Sequence, residues 1–159
     1  MRPILDNTVI VVPARLLLGS IFLFASVEKA ADPLTFAVMI DNYQILPFDF
    51  SLFAATFLPW VEMVCGLTLI LGVFRSGSAF LIGLMTAVFT IAIVSALARD
   101  LDISCGCFTL DPEVSKIGWR KVAENAGIIV LSVFLVYSKN DAMSISNIDR
   151  TGRPEEATP

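Results

Sequence analysis

Residues 79–98 read AFLIGLMTAVFTIAIVSALA, a run without a single charged side chain. As an α-helix, a run of about 20 residues rises roughly 30 Å, the thickness of a bilayer's hydrocarbon core. In lipid only helices and closed barrels satisfy their own backbone, and a run this long and uniformly apolar is a helix. The stretch therefore reads as a membrane span. The composition agrees: 56% of the 159 residues are hydrophobic and 16% charged, with a mean hydropathy of +0.78, where a soluble domain carries about 25% charged residues.

Working outward toward the N-terminus, Arg75-Ser76-Gly77-Ser78 forms a tight polar turn, and residues 51–74 form another span containing Pro59, Trp60, Glu62 and Cys65. A turn this short makes the two helices antiparallel neighbours. Residues 8–27 are a further span, interrupted by Pro13 and Arg15. The arginine and the three later apolar runs favour a retained span over a cleaved leader. Between them, Glu28-Lys29 end the first span. Asp32-Pro33 starts a short amphipathic helix, with Asp32 as N-cap, Pro33 at the first helical position and Leu34, Phe36, Ala37 and Ile40 on one face. That helix is expected at the membrane interface, with Tyr43 as its anchor.

Toward the C-terminus come Arg99, Asp100, Asp102 and then Cys105-Gly106-Cys107-Phe108. Asp111-Pro112-Glu113 reads as a helix start, Trp119 as an interface residue and residues 120–137 as the fourth span. Residues 138–159 form a polar tail expected to be flexible. The predicted architecture is all-α: an integral membrane four-helix bundle over residues 1–137. Lysines and arginines balance on the two sides, so charge does not orient it.

The residues with chemistry to offer are few. With no histidine, the commonest acid–base group near neutral pH and the commonest nitrogen metal ligand are absent. No basic stripe marks a nucleic-acid surface. Cys105 and Cys107 are separated by one glycine, whose missing Cβ lets the backbone bend enough to bring the two sulfurs together. A ring this small is strained, and strained disulfides are easily reduced, which suits electron exchange. Free thiols, a static bond and a soft-metal site are the alternatives, the last disfavoured by the lack of histidine or clustered methionine. Because disulfides persist outside the cytoplasm, the pair belongs on that side and both termini on the other.

Arg15 and Glu62 are charges inside spans, which are expensive unless paired or facing a cavity. Counting from the same membrane face brings them within an arginine's reach. They are expected to pair, either as a clamp between helices or as groups that bind a polar head such as a quinone carbonyl. Cys65 lies one turn from Glu62 and reads as a packing residue. Arg120 and Glu124 are spaced to pair along one helix. Lys29, Arg99 and Arg120 gather on the cysteine side, where positive charge would favour a thiolate.

In combination these motifs resemble a known group. Arg15, Gly19, Phe22, Glu28-Lys29, Asp32-Pro33 and Leu46-Pro47, then Pro59-Trp60, Glu62, Gly66-Leu67, Leu69 and Gly72, resemble DoxX-like membrane proteins. Cys105-Gly106-Cys107-Phe108 followed by Trp119 and Asn125 resembles the MauE, or methylamine utilisation, branch. Thr109 and Glu124 depart from the pattern, standing where a glycine and a basic residue are usual. The resemblance implies a four-helix protein of the bacterial inner membrane, linked to redox work. The implied role is a thiol–disulfide relay through Cys105 and Cys107 that acts beside a thioredoxin-like periplasmic protein. It would support maturation of a periplasmic redox enzyme, methylamine dehydrogenase being the family example. The alternative implied is a non-catalytic anchor or subunit of a quinone-linked oxidoreductase.

Overall fold

The computed structural model describes residues 8–101, 103–106 and 116–138. Asp102, Cys107, Phe108, Asp111-Pro112-Glu113 and residues 139–159 lie outside the described residues, and with them the expected helix start and tail. Five α-helices occur among the described residues: α1 (Thr8–Ala31), α2 (Pro33–Asp41), α3 (Phe48–Leu71), α4 (Arg75–Ala98) and α5 (Trp119–Tyr137). The one β-type pairing among them is an isolated antiparallel bridge between Ser104 and Lys116. Three helices, α1, α3 and α4, are long and apolar enough to cross a bilayer. The chain is thus an all-helical, multi-pass membrane protein.

The surface bears this out. Phe24, Phe57, Phe80, Ile91 and Val130 are exposed, while Arg15, Ser26, Glu62, Thr86, Asn125 and Ser132 are buried. A water-soluble helical protein hides the first kind of residue and displays the second; here lipid is the solvent for the outside. With no hydrophobic drive between helices in lipid, close packing and polar contacts hold them together. α1 and α3 cross at two glycines. A Cβ on Gly19 would stand 2.9 Å from the Gly66 carbonyl oxygen, and a Cβ on Gly66 would stand 2.9 Å from that of Gly19. α4 and α5 meet where a Cβ on Gly83 would lie 3.0 Å from Ser132 Cβ. The four long helices close a ring in the order α1, α3, α4, α5, each packed on two others, and α2 leans on α3.

Several boundaries differ from the sequence reading: α3 runs Phe48–Leu71, three residues earlier at each end than the expected 51–74. α4 starts at Arg75, not residue 79, because Gly72 and Phe74 complete the turn in left-handed conformation (φ 76° and 51°). Arg75 is buried and donates to the carbonyl of Ser138, just past α5. A cation there satisfies the carbonyl end of that helix and complements its dipole. The expected polar turn is therefore the first turn of α4, with Ser78 bonded to Thr68 Oγ1 at 2.7 Å. α1 runs on through Glu28-Lys29 to Ala31, because Lys29 finds a buried partner and the helix has no need to stop for it.

α2 begins as expected. Asp32 accepts hydrogen bonds from the Thr35 backbone N–H at 3.1 Å and the Thr35 hydroxyl at 2.6 Å. Of its expected apolar face, Phe36 and Ala37 are buried, as is Met39, with Phe36 and Ala37 packed against Ala55, Leu52 and Leu58 of α3 and Phe89 of α4, whereas Leu34 is not part of that face. Leu34 and Val38 form its exposed side.

Candidate functional site: a buried ion pair beneath the cysteine turn

Glu62 lies near the middle of α3. Both of its carboxylate oxygens accept from the Lys29 ammonium, each at 2.8 Å. The two side chains are 3% and 1% exposed, which puts the pair wholly inside the protein. The same ammonium stands 5.2 Å from the Phe36 ring centroid and 5.9 Å from that of Phe89. These two rings stack on each other at 6.5 Å. A cation enclosed by a carboxylate and aromatic faces is well supplied, since ring quadrupoles attract it most strongly where water is excluded. Four elements meet here: Lys29 from the last turn of α1, Glu62 from mid-α3, Phe36 from α2 and Phe89 from α4.

The expected Arg15–Glu62 pair is therefore corrected to Lys29–Glu62. Arg15 is buried on the same stripe of α1, but it precedes Lys29 by 14 residues, about 21 Å along a helix axis. The sequence reading assumed that the helix ends set a common register, whereas the Gly19–Gly66 crossing slides α1 along α3. A signal for Lys29 was available. The buried positions of α1, from Val11 through Arg15, Leu18, Phe22 and Ala25 to Lys29, form one continuous helical stripe.

Above this pair sits the cysteine turn. Cys105 is 1% exposed and packs with Tyr43, Ile93 and Ala96. Its carbonyl accepts from the Tyr43 hydroxyl at 3.3 Å. The Tyr43 carbonyl in turn accepts from Arg99, whose Nε also reaches the Ser95 carbonyl. Tyr43 is thus a buried strut under the turn and not the expected interface anchor. Gly106 takes a left-handed φ of 62°. A Cβ there would stand 3.1 Å from Met39 Sδ and 3.3 Å from Phe36 Cδ2, so the turn lies directly on α2. Its two flanks are joined by the Ser104–Lys116 bridge and by the Ile117 N–H bonded to the Ile103 carbonyl at 3.0 Å.

The three cations expected to favour a thiolate are engaged elsewhere: Lys29 by Glu62, Arg99 by the Tyr43 and Ser95 carbonyls, and Arg120 by Glu124 at 3.1 Å. That last pair was anticipated, and Lys121 joins it at 3.0 Å. Cys65 is a buried member of the α1–α3–α4–α5 core, as expected. Asn125 is buried on α5.

Residues 7–138 match the family described as Methylamine utilisation protein MauE. A curated relative, the methylamine utilization protein MauE of Methylophilus methylotrophus, is 24% identical over 136 residues, covering 85% of this chain and 72% of its own. No solved structure matches.

Proposed function

The chain belongs to the MauE family, and from that premise we propose that it is a methylamine-utilisation membrane protein that relays thiol–disulfide exchange through Cys105 and Cys107. The observation that carries the reading is the turn itself. Cys105 is held buried by Tyr43 and by the left-handed Gly106, on a base stitched across to Lys116. A buried first cysteine suits the role of resolving thiol, which leaves Cys107 as the one a partner attacks. In the exchange, a partner thiolate attacks Cys107 of the Cys105–Cys107 disulfide, forming a mixed disulfide and releasing Cys105 as thiolate. The partner's second thiolate then displaces Cys107. The partner leaves oxidised by two electrons, and the two cysteines take up two protons as thiols.

The proposed partner is a thioredoxin-like protein on the periplasmic face of a bacterial inner membrane, with a redox enzyme as its eventual client. α5 is proposed as a fourth crossing. It packs along α4, its far end meeting Arg75 and its near end following the bridge at Lys116. Reoxidation requires a two-electron acceptor, and a membrane quinone is the class considered. Arg15 and Glu62 do not fit as one pocket for it, because Lys29 occupies both Glu62 oxygens about 21 Å along α1 from Arg15. No step is assigned through them.

Trapping tests the relay. In the reverse of this exchange the Cys107 thiolate attacks the disulfide of an oxidised partner and Cys105 releases that partner reduced; Cys105→Ser blocks the release and should accumulate a reductant-sensitive adduct with the oxidised thioredoxin-like protein, whereas Cys107→Ser should give none. The relay is wrong if neither variant forms an adduct and methylamine-dependent growth survives loss of both cysteines. Complex assembly that persists without them would then mark the chain as an anchor.

A further inference from the structure

We propose that the Lys29–Glu62 ion pair is a positioning device for the cysteine turn, acting through Phe36. The inference rests on the reading of Cys105 and Cys107 as working thiols, and it adds what governs their exposure. Phe36 is the shared contact. One side of its ring faces the Lys29 ammonium at 5.2 Å, and its Cδ2 edge lies where a Cβ on Gly106 would stand 3.3 Å from it, so that only a glycine seats there without displacing the ring. The ring is fully buried and also stacks on Phe89. Its place is therefore set from below by a charge and read out above by the backbone between the two cysteines.

The chemistry explains why a charge is used. An apolar contact holds a ring loosely, since one hydrophobic side chain substitutes readily for another. A desolvated ammonium held by two carboxylate hydrogen bonds is fixed, and it draws the face of the ring to itself. It costs more to bury than an aliphatic pair, and such pairs are retained in some proteins for specificity of structure more than for stability. Here the specificity is that of α2, which carries Phe36 and Met39 under Gly106 and leads to Tyr43 under Cys105. The ion pair thus keeps Cys105 covered.

The test reads Cys105 alone, in a Cys65→Ala, Cys107→Ser background, reduced and purified in nanodiscs, with N-ethylmaleimide as probe. No partner is present, so a failed relay leaves the measurement intact and a failed inference leaves the relay intact. Lys29→Met/Glu62→Met removes both charges without stranding either. It should keep the protein folded yet raise Cys105 alkylation roughly tenfold, because protection follows local opening. Phe36→Leu should raise it similarly with the ion pair present. Lys29→Arg, which keeps the cation, should leave it near the parent rate, as should Gly83→Ala, a packing change at the far end of α4. A folded double variant whose Cys105 stays as protected as the parent overturns the proposal. If the double variant does not fold, Phe36→Leu decides: unchanged protection there overturns it equally.

Discussion

Gly106 shows how much one residue is asked to do. Its φ of 62° belongs to the left-handed region, and any Cβ would press on Met39 and Phe36. Gly106→Ala should cost about 1–2 kcal/mol for the backbone alone, and it should lift the turn off α2. The check is the thermal midpoint together with alkylation of Cys105, both of which should move. Lys29 illustrates the opposite case, a residue whose role depends on a partner distant in sequence. Lys29→Met alone leaves a buried carboxylate unpaired and should cost about 3–5 kcal/mol, whereas Lys29→Met/Glu62→Met should recover most of it. Thermal unfolding of the single and double variants in detergent measures the difference. Glu62 was legible in the sequence because a charge inside an apolar span singles it out. Lys29, Phe36 and Tyr43 were not. A charged residue beside another at a span end looks like an anchor, and a phenylalanine in an apolar run is indistinguishable from its neighbours until the helix crossing is known.

At the scale of the element, the glycine crossing of α1 and α3 sets that register. Gly66→Ala would place a methyl 2.9 Å from the Gly19 carbonyl and 3.1 Å from the Leu23 nitrogen. Both neighbours are backbone, which cannot swing aside, so the helices must part at a cost of about 1–3 kcal/mol. Loss of the Lys29–Glu62 alignment should follow, seen as Cys105 alkylation rising with the fall in melting temperature. α2 carries a milder dependence, on pH. The Thr35 hydroxyl and N–H hold the Asp32 carboxyl below the ordinary aspartate value. A lowered folded-state pKa contributes stability that is complete above the unfolded value and fades as pH falls through the folded one. The start of α2 should therefore loosen only in acid, below the ordinary aspartate range, and Asp32→Ala should show that looser state at neutral pH. Hydrogen exchange at Thr35 reports both. The three long spans were legible because a bilayer demands length and apolarity that composition displays directly. Where α1 ends was not, because Lys29 continues the helix only by virtue of Glu62.

At the scale of the whole molecule, the chain is built inside out. Many phenylalanines and branched aliphatics face lipid, while Arg15, Lys29, Glu62, Arg75, Asn125 and several serines and threonines are buried among the apolar core residues. Membrane class and all-α fold follow from that bias and were readable without coordinates. The offset between helices was not, since apolar runs of similar length slide past one another without changing the pattern. Family membership across residues 7–138 spans all five helices, so the cysteine turn and the ion pair beneath it lie within the shared unit. The proposed relay requires Cys105 and Cys107 to cycle between dithiol and disulfide. Its most direct test is their redox state in intact cells growing on methylamine, quenched in acid and tagged with a mass-shifting maleimide. A working relay gives a mixed population that shifts toward the dithiol when the electron acceptor is withdrawn. Two thiols that stay fully reduced under every growth condition would contradict it.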